Sequence, residues 1–153
     1  MKIKLGVFFG GKSVEHEVSI ITALQAIENI NKEKYDIVPI YIAKDNKMYC
    51  GDFVDDIKQY TNIDNLKRIS TQVTLSLKDN KTVLLRTNKK FYENEVYDYI
   101  DVAFPIVHGT NVEDGTLQGY LKMFNLPYVG CDVTSSAVGM DKYVSKTILK
   151  ENN

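Results

Sequence analysis

The chain has 153 residues, 44% hydrophobic and 25% charged, which suits one soluble globular domain with a real core and leaves little room for a second. Its 19 basic and 20 acidic residues are scattered and nearly cancel, and the net charge of -1 excludes the basic footprint of a nucleic-acid binder or of a protein held on an anionic membrane surface. No apolar run approaches the ~20 residues needed to span a bilayer, and Cys50 and Cys131 have no partners at metal-ligand spacing, so no membrane span, zinc site or disulfide framework is expected.

The first element is a strand from Ile3 to Phe9, apolar and rich in β-branched or aromatic residues, stopping at Gly10-Gly11. It is too short an apolar stretch for a signal peptide and lacks a small-residue cleavage pattern, so a cytoplasmic location is the default expectation. A helix follows, with Ser13 as expected N-cap and Ile20, Ala23 or Leu24, Ile27 and Ile30 recurring on one face until about Asn31. Asp36 to Ala43 reads as the next strand and completes a βαβ unit, with Pro39 pointing to an edge position or a bulge.

Lys44 to Lys47 carries turn chemistry ahead of Met48-Tyr49-Cys50, which suggests a small hairpin. Val54 to Tyr60 suits a short helix. Val73 to Leu77 and Thr82 to Thr87, joined by Lys78-Asp79-Asn80-Lys81, suit a second hairpin. Residues 50–98 thus look like an insertion between two halves of a wound sheet, and the parallel pattern resumes at Ile100 to Val107. Leu117, Leu121 and Phe124 mark a helix face, Leu126 to Val129 a short strand, Gly130 a turn, and Ser135 to Met140 a short helix. Asp141 caps a final helix through Leu149, whose apolar Val144, Ile148 and Leu149 call for a cover, either another domain or a homodimer contact. The expected fold is α/β: an open, mostly parallel sheet with helices on both faces and an inserted β-hairpin region.

Chemistry concentrates between Pro105 and Gly119, where a strand runs into a loop holding His108, Glu113, Asp114 and three glycines. A His, a Glu and an Asp so close together near an apolar sheet need partners, solvent or a ligand. Loops at the carboxyl ends of parallel strands are where open α/β sheets bind ligands, and Glu15 projects from the same edge. Each residue also has a bland reading. His108 suits a turn histidine, Glu15 and Glu17 suit a helix first turn, and Glu113 and Asp114 suit helix caps, the preferred role for Asp114. Lys142 suits a solvated helix-start lysine. Gly6 to Ser13 matches a phosphate-binding loop literally, but Val7, Phe8 and Phe9 continue the strand where a phosphate cradle needs exposed backbone. The residues by themselves lead to an anionic, histidine-containing cleft suited to a cationic amine.

Gly10-Gly11-Lys12-Ser13-Val14-Glu15-His16-Glu17-Val18-Ser19, His108-Gly109 with Glu113-Asp114-Gly115-Thr116-Leu117-Gln118-Gly119, and Met140-Asp141-Lys142 together resemble the D-alanine:D-alanine ligases of the ATP-grasp superfamily. Leu126 to Cys131 and Ser135 to Ala137 are similar to the family's connections between these motifs. The resemblance covers the chain from end to end and implies the Rossmann-like amino-terminal domain of such an enzyme, with central and carboxy-terminal domains lying beyond Asn153. It further implies ligation of two D-alanines through an acyl phosphate, with ATP and Mg2+ in the full enzyme. Glu15 is then expected to hold the ammonium of the first D-alanine, Val18 to lie beside its methyl group, His108 and Glu113 to form a hydrogen-bonded pair near it, and Lys142 to reach the nucleotide phosphates. The fragment alone is expected to be inactive. D-Alanyl-D-serine or D-alanyl-D-lactate synthesis, and a non-catalytic amino-acid-binding module, are the alternatives. The family loop usually has a glycine where this chain has Val112, so a positive φ there would strain the loop by roughly 1 kcal/mol or more.

Overall fold

The computed structural model describes residues 2–151. Alternation along β1 (Ile3–Gly10) sets the two layers. Leu5, Val7 and Phe9 point to one face and pack against Ile20, Ala23, Leu24 and Ile27 of α1 (His16–Asn29), the apolar face expected from their spacing. Phe8 points to the opposite face, into a second cluster.

The chain continues through β2 (Tyr35–Ile42), β3 (Met48–Cys50), a 3-10 helix (Ile57–Thr61), α2 (Ile63–Ile69), β4 (Thr71–Lys78), β5 (Lys81–Arg86), β6 (Val96–Ile100) and β7 (Val102–Ile106). The seven strands form one sheet in the order β6-β5-β4-β3-β2-β1-β7. The fold is α/β, as expected. The sheet is mixed: β2, β1 and β7 run parallel, and the hairpin region adds four strands, each antiparallel to its neighbour, beginning with β3 against β2. Asp79 and Asn80, both at positive φ, make the tight turn between β4 and β5. Pro39 is paired on one side with Val7, and β3 reaches only Tyr41 and Ile42, so Pro39 lies on an unpaired stretch of an otherwise interior strand.

Three local expectations are corrected. Ser13 is not the N-cap of α1: its hydroxyl accepts from the Glu15 N–H at 3.1 Å, and the helix starts at His16 with Glu15 in the cap position. The helix expected from Val54 is a 3-10 turn from Ile57, and α2, anchored by the fully buried Leu66 and capped by Asn62, was not anticipated. The segment from Ile100 to Val107 is not one strand. It bends at Asp101, and β6 and β7 lie at opposite ends of the strand order. The sheet curls so that the end of β6 comes beside β1 at Lys4, whose N–H donates to Asp101 Oδ2 at 2.8 Å while the Asp101 N–H donates to the Lys4 carbonyl at 2.9 Å. Gly6 makes room for this approach, since a Cβ there would lie 3.0 Å from Ile100 Cγ2. Residues 6–9 are paired with β2 on one side and β7 on the other, so their backbone belongs to the sheet and not to a phosphate cradle.

On the second face, α3 (Thr116–Met123) buries Leu117 and Leu121, and Tyr128 makes a single parallel bridge to Ala103. Asp132 caps α4 (Val133–Met140), and Asp141 caps α5 (Lys142–Glu151) by accepting from the N–H groups of Tyr143 and Val144. These two helices pack on each other and leave Tyr143 81% and Leu149 62% exposed. Cys50 is buried and Cys131 exposed, both free. No helix among the described residues is long and apolar enough to cross a membrane.

Candidate functional site

The site is built on the turn that ends β1. Gly10 and Gly11 both take φ 91, and neither tolerates a side chain: a Cβ on Gly10 would strike the Ile42 carbonyl, and one on Gly11 would meet Val112 Cγ1 at 2.6 Å. The Gly11 N–H donates to the Ile42 carbonyl at 2.7 Å, locking the turn to β2. The fully buried Ser19 ties α1 to both neighbouring strands: its hydroxyl accepts from the Gly10 N–H at 2.7 Å and donates to the Ile106 carbonyl at 2.6 Å. Glu15 is thereby held at the carboxyl edge of the sheet.

The facing loop follows β7. His108 is half-buried, with Nε2 3.0 Å from Thr22 Oγ1, and that hydroxyl also lies 3.0 Å from the Val18 carbonyl. With the hydroxyl proton given to the helix carbonyl, Thr22 accepts from Nε2–H and Nδ1 is left as an acceptor. Gly109, at φ 86, brings the loop against Ser13 and Glu15; a Cβ there would fall on Ser13 Oγ and 3.8 Å from Glu15 Cδ. Glu113 is fixed twice to Gly109, its N–H donating to the Gly109 carbonyl at 3.0 Å and its carboxylate accepting from the Gly109 N–H.

Among the non-glycine residues of this loop the positive φ falls on Asn111 (φ 66), not on Val112. The strain expected at Val112 is therefore absent. Val112 is 3% exposed and packs beside Gly11 in the core cluster that includes Leu117. Asn111 also joins the two halves of the site, its Nδ2 donating to the Lys12 carbonyl at 3.0 Å. Asp114 has the capping role expected of it, accepting from the N–H groups of Asn111 at 2.7 Å and Thr116 at 3.0 Å. Partial burial raises its pKa, but the hydrogen bonds from Thr116 and Asn111 outweigh this and hold it below the usual aspartate value.

One ligand-type atom from each of Glu15, His108 and Glu113 lies within 4.8 Å of the others. Sequence reasoning brought these residues to one edge, and the structure gathers them. His108 and Glu113 stand side by side but are not the hydrogen-bonded pair expected: His108 Nε2 bonds Thr22 and Glu113 Oε2 bonds the Gly109 N–H. Val18, 49% exposed, lies one helical turn beyond Glu15. Lys142 is not in the cluster. It lines a shallow depression with Asp114 and Thr116 at the start of α5. Two exposed carboxylates and an imidazole acceptor suit a cationic amine. They suit Mg2+ poorly, since that ion takes oxygen ligands in a strict octahedron.

Sequence reasoning missed Thr22, Ser19, His16 and Tyr41. Thr22 lies seven residues after Glu15 on the same helix face, a spacing that carried the signal. His16 is 3% exposed and spans the Gly11 carbonyl and the Tyr41 hydroxyl, and no local pattern marks it.

Comparison with known proteins gives a consistent result. The family described as "D-ala D-ala ligase N-terminus" matches residues 4–131. A D-alanine--D-alanine ligase of Thermosipho melanesiensis is 43% identical over 150 residues, 97% of this chain and 40% of the relative. Among solved structures, the D-alanine-D-alanine ligase from Coxiella burnetii superposes with a TM-score of 0.83 at 34% identity, covering 99% of this chain and 42% of that one. The VanG D-Ala:D-Ser ligase from Enterococcus faecalis gives 0.76 at 31% identity, over 98% and 42%. The chain thus spans about 40% of the length of the curated relatives it matches.

Proposed function

The chain belongs to the D-alanine--D-alanine ligase family, matching its N-terminal domain, and on that premise we propose that it forms the first-substrate half of a cytoplasmic, ATP-dependent ligase that joins two D-alanines for peptidoglycan synthesis. The observation that carries this reading is the convergence of Glu15, His108 and Glu113 at the carboxyl edge of the parallel strands. In the proposed reaction a carboxylate oxygen of the first D-alanine attacks the γ-phosphorus of ATP, the bond to the β,γ-bridging oxygen breaks and ADP leaves. The amine of the second attacks the acyl carbon, a C–N bond forms, the C–O bond to phosphate breaks, and the amine gives up a proton.

Glu15 pairs with the ammonium of the first D-alanine, and Val18 lies beside its methyl group. His108 and Glu113 orient that substrate, and the two carboxylates favour its cationic end. Lys142 lies outside the cluster and is assigned to the nucleotide phosphates, whose charge it would offset. Magnesium enters with ATP, and none of these residues is assigned to it. The likeness to a D-Ala:D-Ser ligase supports a second reading in which the attacking amine belongs to D-serine.

Calorimetric titration of D-alanine into the complete ligase tests the central assignment. Glu15→Gln is expected to weaken first-site binding by about tenfold or more, with the urea midpoint unchanged. Equal affinity removes Glu15 from the ammonium site. The 153-residue chain mixed with ATP, magnesium and D-alanine is expected to release phosphate only at background rate.

A further inference from the structure

The carboxyl edge of the sheet holds a second cleft of opposite character. It measures about 510 Å³, is floored by Met48, Val73 and Leu117, and is rimmed by Lys12, Lys47, Gln72 and Asn111. Among the described residues no Asp or Glu lines it, and Glu15, His108 and Glu113 contribute nothing to it. Its wall therefore carries two positive charges and no negative one. Lys12 makes no ion pair among the described residues. The carboxylate beside Lys47 is Asp45, 3.9 Å away, with both side chains about half exposed, a screened pairing that leaves the lysine free to turn inward.

Three features make this a built cleft. It opens where the parallel strands end and the antiparallel part begins, with Ile42 of β2 and Met48 of β3 in its lining. Its floor is apolar core, and a few polar groups converge on its rim, the usual make-up of a small-molecule site of this volume. Its boundary toward the Glu15 cluster is formed by the packing of Gly11 on Val112 and the bond from Asn111 to the Lys12 carbonyl. A single D-alanine is far too small to fill it.

We propose that this cleft binds a small amphipathic anion, a carboxylate or phosphate monoester on an apolar body, with the head between Lys12 and Lys47 and the body over Met48, Val73 and Leu117. The site is separate from the D-alanine cluster and does not depend on that assignment. Its occupant would be felt at Gly109 and Glu113, because the wall and the Glu113 loop share the Asn111–Lys12 bond.

The test is a nuclear magnetic resonance titration of the nitrogen-15-labelled chain with 4-phenylbutyrate, phenyl phosphate and neutral 4-phenylbutanol. Saturable shifts at Gln72, Val73 and Thr87 are expected from at least one anion, and which anion saturates identifies the head group. The alcohol, and the anions with the exposed double variant Lys12→Gln/Lys47→Gln, are expected to bind about tenfold more weakly or less. Retained spectral dispersion shows that the variant is folded. Glu15→Gln is expected to leave these shifts unchanged, so failure here and failure of the D-alanine assignment are distinguishable. Absence of saturation by either anion, equal binding of the alcohol, or undiminished binding in the double variant would overturn the proposal.

Discussion

His16 bridges Gly11 and Tyr41 in the interior, with Nδ1 2.6 Å from the Gly11 carbonyl and Nε2 3.1 Å from the Tyr41 hydroxyl. A carbonyl only accepts, so Nδ1 carries the proton and Nε2 accepts from the tyrosine O–H. The residue that follows Glu15 thus clamps the glycine turn that presents Glu15.

Tyr41→Phe would leave Nε2 of a 3% exposed histidine without a donor. A loss of about 1–3 kcal/mol in urea unfolding is expected. Imidazole nitrogen shifts should show the Nδ1–H tautomer in the parent chain, and an Nε2–H tautomer would contradict the clamp.

Val112→Gly separates two accounts of the loop. Strain at position 112 would make glycine stabilising. The structure instead places the positive φ on Asn111 and buries Val112 in the core, so the variant should lose about 2–4 kcal/mol from lost burial and added chain entropy. An unchanged or higher denaturation midpoint would restore the strain account.

Lys4 of β1 ties the edge strand β6 to the parallel strands, its Nζ lying 2.9 Å from Asp36 of β2 and 2.8 Å from Asp98 of β6. Burial lowers its pKa, but hydrogen bonds and charge from Asp36 and Asp98 overcome this and hold the pKa well above the usual lysine value. Lys4→Met should cost about 1–3 kcal/mol by leaving a partly buried Asp98 uncompensated, and adding Asp98→Leu should recover most of the loss. Additive losses in this double-mutant cycle would show that the pair is not coupled.

Acid titration should find Asp114 protonating below the ordinary aspartate value of 3.8. A depressed folded pKa contributes stability that is present above the unfolded value and is lost as pH falls through the folded one. The amides of Asn111 and Thr116 should report that midpoint, and Asp114→Asn should flatten this part of the acid unfolding curve. A midpoint at or above 3.8 would remove the stabilisation assigned to the cap.

The legible elements share a local cause. The alternation of Leu5, Val7 and Phe9, the helical spacing of Ile20, Ala23, Leu24 and Ile27, and the turn chemistry of Asp79-Asn80 each depend on residues a few positions apart. The bend at Asp101 escaped because Ile100 and Val102 are both apolar; what divides them is the bonding of Asp101 to Lys4 of β1. Helix α2 escaped because Leu66 is its only buried residue. Val112 was judged by the glycine common in its family, whereas a neighbouring asparagine absorbs the left-handed turn.

By itself the sequence determined the α/β class, the two-sided core and the arrival of Glu15, His108 and Glu113 at one sheet edge, because periodicity and strand ends are local properties. Only the tertiary structure decided which atoms those residues meet. His108 bonds Thr22 across 86 positions, and Asn111 bonds Lys12 across 99, and no nearby pattern encodes either pairing. Such bonds exist only once β7 has paired with β1, and so the chemistry of the site is set by the fold and not by any one segment.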